Sequence, residues 1–282
     1  GADGAFVERG AAVTERRDRR GKRASEHGLT LESGSMAGLR VERDGTILRV
    51  TLAKPERRNA FDAELIADLH EAFRDVGDAR VVLLSGEGAS FCAGADIEWQ
   101  RSAIDLSFDE NVDDAMRLFA MMQTIDACPA PVVGRIQGYA LGGGSGLAAA
   151  MDIAIASEDA VFGFSEVKLG IIPAVISPFV LPKIGEGAAR RYFLTGERFD
   201  AQAALRIGLV SEVVDDLDGA VDRLVGELLT SGPQAAREAK RLVRTRPQGE
   251  ETAQWAARMR ASDEGQEGLR AFLERRKAGW LD

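Results

Sequence analysis

The sequence predicts an α/β protein in which one spiral of strand–strand–helix turns is followed by a region of helices alone. Three observations carry this. Units of two short apolar runs and a helical period recur at 47–76, at 81 to about 100, and at 131–151, which points to one repeating coil of chain rather than a doubly wound sheet. Two of these units contain a run of small residues between strand and helix, Phe91-Cys92-Ala93-Gly94-Ala95-Asp96 and Gly138-Tyr139-Ala140-Leu141-Gly142-Gly143-Gly144-Ser145-Gly146. From about residue 216 onward no strand pattern returns, and Gly232-Pro233 and Pro247-Gln248-Gly249 break that stretch into separate helices.

In chain order, residues 1–36 are polar, with the basic run Arg16-Arg17-Asp18-Arg19-Arg20-Gly21-Lys22-Arg23 and no apolar period. They read as a mobile tail, an upstream start or an expression-derived segment, with an anion-binding arm as the alternative. The folded core is expected over 37–215 and a helical region over 216–282. Leu39–Arg43 and Ile47–Leu52 flank Asp44-Gly45, a hairpin signal. Asp62 can cap a helix whose apolar stripe is Leu65, Ile66, Leu69, Phe73 and Val76. A buried strand is expected at Val81–Ser85, and a helix start at Asp96. The polar stretch from Gln100 to Asp114 reads as a lid or variable loop. Val112, Met116, Phe119, Met122 and Ile125 then recur at helical spacing, with the methionines expected in the core, and Pro129 stops that helix. Strands follow at Pro131–Ile136, Ile153–Ala156 and Val161–Phe164. Asp200 caps a short helix, and Val210–Val214 is the last strand.

Composition narrows the function. The chain has 282 residues, of which 45% are hydrophobic, enough for one sizeable core with a helical extension. No apolar run approaches membrane-spanning length. Cys92 and Cys128 form no disulfide framework, so a reduced, cytoplasmic setting is expected. Cys92 lacks a histidine partner and reads as a small packing residue. The two histidines, His27 and His70, leave no material for a Ser-His-Asp triad or a multi-His metal site, and His70 is expected on a helix surface. A net charge of −9 argues against nucleic acid as the main partner.

The glycine run at 138–146 is the most informative stretch. It leaves a strand and enters a helix, whose first N–H groups lack internal acceptors and sit at the positive end of the peptide dipoles. Glycine lets a ligand approach that backbone closely. No Gly-Lys-Ser/Thr follows, so it is not a P-loop. Gly144, Gly146 and Ala149 spell a G-x-G-x-x-A dinucleotide pattern, but Gly138–Leu141 intervenes where a strand should run directly into the first glycine. Other readings are a packing turn without a ligand, and an oxyanion hole completed by the second corner at 93–96.

Taken together, Phe91-Cys92-Ala93-Gly94-Ala95-Asp96-Ile97 and Gly138-Tyr139-Ala140-Leu141-Gly142-Gly143-Gly144 resemble the crotonase, or enoyl-CoA hydratase/isomerase, superfamily. The resemblance continues through Arg58-Asn59-Ala60-Phe61, Phe164-Ser165-Glu166-Val167-Lys168-Leu169-Gly170, Ile172-Pro173 and Glu267–Arg276, and spans roughly residues 38–282. Trp99 and the run Pro173–Pro178 are similar to bacterial 3-methylglutaconyl-CoA hydratases and their terpenoid-degrading relatives.

The resemblance implies a crotonase-like spiral whose C-terminal helices build a homotrimer or a hexamer, a dimer of trimers. It implies an acyl-CoA thioester substrate, with coenzyme A as part of that substrate and no separate cofactor or metal. The thioester oxygen would meet the N–H groups of Ala95 and Gly143, and Glu166 would transfer the proton. Contacts to substrate and CoA are implied at Arg58, Ala60, Ala93, Ala95, Asp96, Ile97, Gly142, Gly143 and Phe272, the last from a neighbouring chain. Among Lys54, Arg57 and Arg58, Arg58 is the preferred phosphate ligand, its alternative being a solvated loop charge. For Glu166 the alternative is a strand-end residue paired with Lys168. The family's other hydratase glutamate falls at Gly146, so a carboxylated substrate, Glu98 or an acid of 105–114 is left to position water. Expected activities are therefore an enoyl-CoA hydratase acting on a branched or glutaconyl-like substrate, a 3,2-enoyl-CoA isomerase with a single glutamate, or a non-catalytic scaffold or RNA-binding homologue.

Overall fold

The computed structural model describes residues 34–36 and 38–281. The tail read over 1–36 lies outside the described residues except for Gly34–Met36, which form strand β1 against β2. The hairpin at Asp44-Gly45 is present: β2 (Leu39–Asp44) pairs antiparallel with β3 (Ile47–Leu52). Strands β4 (Val81–Gly86), β5 (Val132–Ile136), β7 (Ile153–Ser157) and β10 (Glu212–Val214) then add in parallel, giving the order β1-β2-β3-β4-β5-β7-β10. A smaller sheet joins β6 (Tyr139–Leu141), β8 (Val161–Gly163) and β9 (Arg198–Asp200). Single bridges, Phe61 to Ala95 and Cys92 to Ala140, extend its pattern to the earlier turns.

Each turn of the spiral thus contributes one long strand to the large sheet, one short strand or bridge to the small layer, and then a helix. These helices are α1 (Ala63–Arg74), α2 (Ile97–Ser102) with α3 (Phe108–Ala127), and α4 (Gly143–Ala150). The central strands β4, β5 and β7 are buried on both faces, as their near-continuous apolar runs require, while β2 alternates buried and exposed residues. In β4 the alternation divides the side chains: Val82 and Leu84 enter the main core, while Val81 and Leu83 face a second cluster with Val133 and Ile155. Helix α7 (Leu217–Thr230) covers that second cluster with Leu217, Val221 and Val225. The start of the helical region is therefore a layer on the sheet. Beyond it α8 (Pro233–Thr245), α9 (Glu250–Ala261) and α10 (Asp263–Glu274) follow the expected glycine and proline breaks.

Three expectations are corrected. Gln100–Asp114 is not a loop. Helix α2 runs to Ser102, a 3₁₀ turn covers Ala103–Asp105, and α3 starts at Phe108. The reason is a capping box: Ser107 Oγ accepts from the Glu110 N–H at 3.3 Å, and Glu110 Oε2 accepts from the Ser107 N–H at 2.8 Å. Met116 is 55% exposed, because only the C-terminal half of α3 reaches the core, through Met121, Met122 and Ile125. His70 is not a free surface residue; its Nδ1 lies 2.9 Å from Thr124 Oγ1, joining α1 to α3. Past Pro178 the chain is helical as expected, in α5 (Ser177–Thr195, interrupted at Gly185) and α6 (Ala201–Arg206), which Asp200 caps.

Candidate active site

Two corners of the spiral end at one cavity of about 700 Å³. At the first, β4 leads through Phe91 and Cys92, both buried, to Gly94, whose φ of 95° swings the chain towards α2. The Phe61 N–H donates to Gly94 O at 2.7 Å and the Asp96 N–H to Phe61 O at 2.7 Å. The intervening Ala95 N–H therefore points to the other side and has no protein acceptor among the described residues. At the second corner, Gly142 takes φ 51° and ψ −117° and hands the chain to α4, whose first N–H belongs to Gly143. That N–H is one of the orphans of a helix start. Ser145, fully buried, ties this turn to the small sheet by donating to Ala140 O at 2.6 Å and accepting from the Gly163 N–H at 3.3 Å. Ala93, Ala95, Ile97, Gly142, Gly143 and Glu166 all line the cavity.

Glu166 opens a 3₁₀ turn (Glu166–Leu169) after β8. A Cβ on Gly142 would sit 3.3 Å from Glu166 Oε1, so the carboxyl group lies against the second corner. Its Oε2 is buried and makes no hydrogen bond. Burial raises its pKa above the ordinary glutamate value of 4.5, and its own backbone N–H only partly offsets that. Among the described residues no ion pair joins it to Lys168, whose side chain packs over Gly196. The paired-with-lysine alternative is thereby removed.

Position 146 has no room for a second acid. A Cβ there would stand 2.5 Å from Ile176 Cγ2 and 3.3 Å from Met122 Cε. The rest of the cavity wall is largely apolar, from α2 (Ile97, Trp99), α3 (Leu118) and the segment at 169–176. This segment was read only for its family resemblance, and its lining role has no periodic signal. One face of α3, however, brings Asn111, Asp114 and Leu118 to the cavity at three- and four-residue spacing. That spacing is present in the sequence within the stretch expected as a loop.

The remaining candidates lie around the site rather than in it. Asp96 does not line the cavity and caps α2: its Oδ1 accepts from Glu98 N–H at 2.8 Å and Trp99 N–H at 3.3 Å, and its Oδ2 from Arg57 at 3.1 Å. Burial tends to raise its pKa, but those helix-start N–H groups and Arg57 together hold it below the usual aspartate value. Arg57 is thus occupied, and Lys54 is buried and bound to Asp62 at 2.7 Å and Glu64 at 3.3 Å. Arg58 is exposed, with its guanidinium 5.9 Å from the Tyr139 ring, and has no ion pair among the described residues. Ala60 is buried beside it and does not line the cavity, and Phe272 is 80% exposed on α10, outside the cavity of its own chain. Cys92 is buried, which pushes its thiol pKa up to about 12 and fits its reading as packing.

A model of the enoyl-CoA hydratase/isomerase family matches residues 42–282. The crystal structure of an enoyl-CoA hydratase from Shewanella pealeana aligns with a TM-score of 0.84 at 40% identity, over 87% of this chain and 96% of that one. Cyclohexa-1,5-dienecarbonyl-CoA hydratase from Thauera aromatica is 31% identical over 260 residues, 88% of this chain and 98% of its own length. Crotonyl-CoA hydratase from Syntrophomonas wolfei is 30% identical over 254 residues, 86% and 96% of the two chains. The match covers both glycine corners, Glu166 and the terminal helices, and the chain belongs to the enoyl-CoA hydratase/isomerase family of enzymes, the crotonase superfamily.

Proposed function

We propose that this protein is an enoyl-CoA hydratase that adds water across the double bond of a 2-enoyl-CoA thioester with an apolar, branched acyl group. The observation that carries the reading is the Glu166 carboxyl group, buried with an unpartnered Oε2 beside Gly142, in one cavity with the open N–H groups of Ala95 and Gly143. The thioester oxygen sits between those two donors. As the water oxygen bonds to Cβ the thioester oxygen takes on enolate charge, and both contacts strengthen, which favours the transition state over the ground state; a proton reaching Cα then restores the thioester. Each such donor is worth about 2.7–4 kcal/mol. Glu166 delivers the proton to Cα, its raised pKa keeping more of the acid form near neutral pH. The hydroxyl of water adds at Cβ. No cofactor beyond the CoA of the substrate takes part.

Arg58 is the phosphate ligand in this reading, because Lys54 and Arg57 are already paired. Exposed Phe272 and Leu273 on α10 support a trimer, or a dimer of trimers, in which a neighbour's helix end approaches the CoA. Unpaired Cys92 and Cys128 fit a cytoplasmic site. Among the described residues no helix is long and apolar enough to cross a membrane. A glutaconyl carboxylate fits less well, since the cavity's own carboxylates are Glu166 and Asp114 and its arginine, Arg101, holds Glu98 at 2.8 Å.

The crowding at Gly146 favours one second reading, a 3,2-enoyl-CoA isomerase in which Glu166 alone moves the proton. Reaction in deuterated water separates them. Crotonyl-CoA and branched 2-enoyl-CoA thioesters should yield 3-hydroxyacyl-CoA carrying deuterium at Cα. A 3-enoyl-CoA that shifts its double bond, with no water added to any 2-enoyl-CoA, would establish the isomerase instead.

A further inference from the structure

Hydration by Glu166 leaves one proton unassigned. Glu166 gives a proton to Cα, while the attacking water must lose one as its oxygen bonds to Cβ. The packing of Ile176 and Met122 against Gly146 leaves no acid on α4 to take it. Glu98 and Glu110 are already engaged. Glu98 is 63% exposed, binds Arg101 through both oxygens, and does not line the cavity. Glu110 is consumed in the cap of α3. Among the described residues that line the cavity, the carboxylates are Glu166 and Asp114.

Asp114 differs from its neighbours on α3. Its side chain is only 16% exposed, and its Oδ1 accepts from Arg117 at 2.8 Å. Its Oδ2 has no hydrogen-bond partner among the described residues. Asn111, one turn earlier on the same face, is exposed and also lines the cavity. These two residues stand with Gln100 and Arg101 of α2 on a polar side of the cavity, which offers hydrogen-bond partners to a water. The arrangement places a half-free carboxylate on a different element from Glu166, on a polar side of the same cavity.

We propose that Asp114 is the second acid–base group of the site. It holds the attacking water and takes its proton as the water oxygen bonds to Cβ, while Glu166 protonates Cα. The proton on Asp114 then leaves to solvent and Glu166 is reprotonated, so that one water is consumed and both groups are restored. Arg117 fixes the rotamer of Asp114 from the solvent side.

The proposal rests on the hydratase reading above, and its test separates the two. Crotonyl-CoA hydration is measured beside the exchange of the Cα proton of butyryl-CoA in deuterated water, which needs Glu166 and the oxyanion donors but no attacking water. Asp114→Asn should lower the kcat of hydration about 100-fold and leave exchange within about twofold of wild type. Asp114→Glu, which keeps the carboxylate, should recover at least about a tenth of the hydration rate. Asp114→Ser serves as the carboxylate-free variant if Asp114→Asn does not fold. Unchanged hydration in a folded carboxylate-free variant overturns the proposal, as does an equal fall in hydration and exchange, which would mean that Asp114 only shapes the site. A wild-type protein that adds no water overturns this proposal and the hydratase reading together.

Discussion

Glu166 and Gly146 carry the proposed chemistry at the scale of single residues. Glu166→Gln keeps the size and polarity of the side chain but cannot exchange a proton, so kcat should fall by at least about 100-fold while a saturated acyl-CoA still binds, as read by calorimetry. The same variant tests the burial of the carboxyl group. Because its folded-state pKa is raised, the folded protein holds that proton more tightly than the unfolded chain does. The stability this contributes is full below the unfolded value of about 4.5 and is lost as pH rises through the folded value. The Tm of Glu166→Gln should therefore match wild type at low pH and rise relative to it as pH increases to neutrality. Gly146→Ala puts a methyl group 2.5 Å from Ile176 Cγ2 and should cost about 1–3 kcal/mol in denaturant unfolding. A variant as stable as wild type would show that Ile176 moves freely and that position 146 could have held an acid.

At the scale of elements, the site depends on how short helices begin. Helix α4 presents an uncapped first turn to the cavity, and its other residues are buried, so its position is fixed by packing and by Ser145. Helix α2 is different: it is six residues long, too short to be stable alone, and is held by the Asp96 cap and the bond from Arg57. Asp96→Ala should cost about 0.5–2 kcal/mol in unfolding free energy. It should also raise KM, because Ile97 and Trp99 on α2 form part of the cavity wall. If KM stays at the wild-type value in a destabilised variant, α2 is not needed to seat the acyl group.

For the whole molecule, the charge balance sets how CoA is captured. A net charge of −9 repels an anionic ligand, so a local cation has to act within a Debye length of about 10 Å at 0.1 M salt. Arg58→Ala should raise KM for acyl-CoA thioesters at low salt, with the gap narrowing as salt is added and kcat little changed. An unchanged KM at low salt would place the phosphates elsewhere. The exposed Phe272 and Leu273 on α10 form the matching prediction for assembly: sedimentation should report a trimer or hexamer, and Phe272→Asp should shift it towards smaller species.

Local physics was enough to read the repeating turns, the hairpin at Asp44-Gly45, the caps at Asp62, Asp96 and Asp200, and the glycine corners, because each is written within a few neighbouring residues. Glu166 and the corners were legible as a set through ordered motifs. The loop reading of 100–114 failed on local grounds, since Ser107 and Glu110 spell a capping box that the polar composition obscured. Other features could be decided only by tertiary structure. Whether Arg57 or Arg58 is available depends on Asp96, which lies 39 residues from Arg57. Whether position 146 could hold an acid depends on Ile176 and Met122, which pack there from other elements. That Asp114 meets Glu166 in one cavity follows from the packing of α3 against α4, at the corner where Glu166 lies. Sequence carries what each residue can do and its local geometry, whereas the choice of partners across the fold is set by packing between segments far apart in the chain.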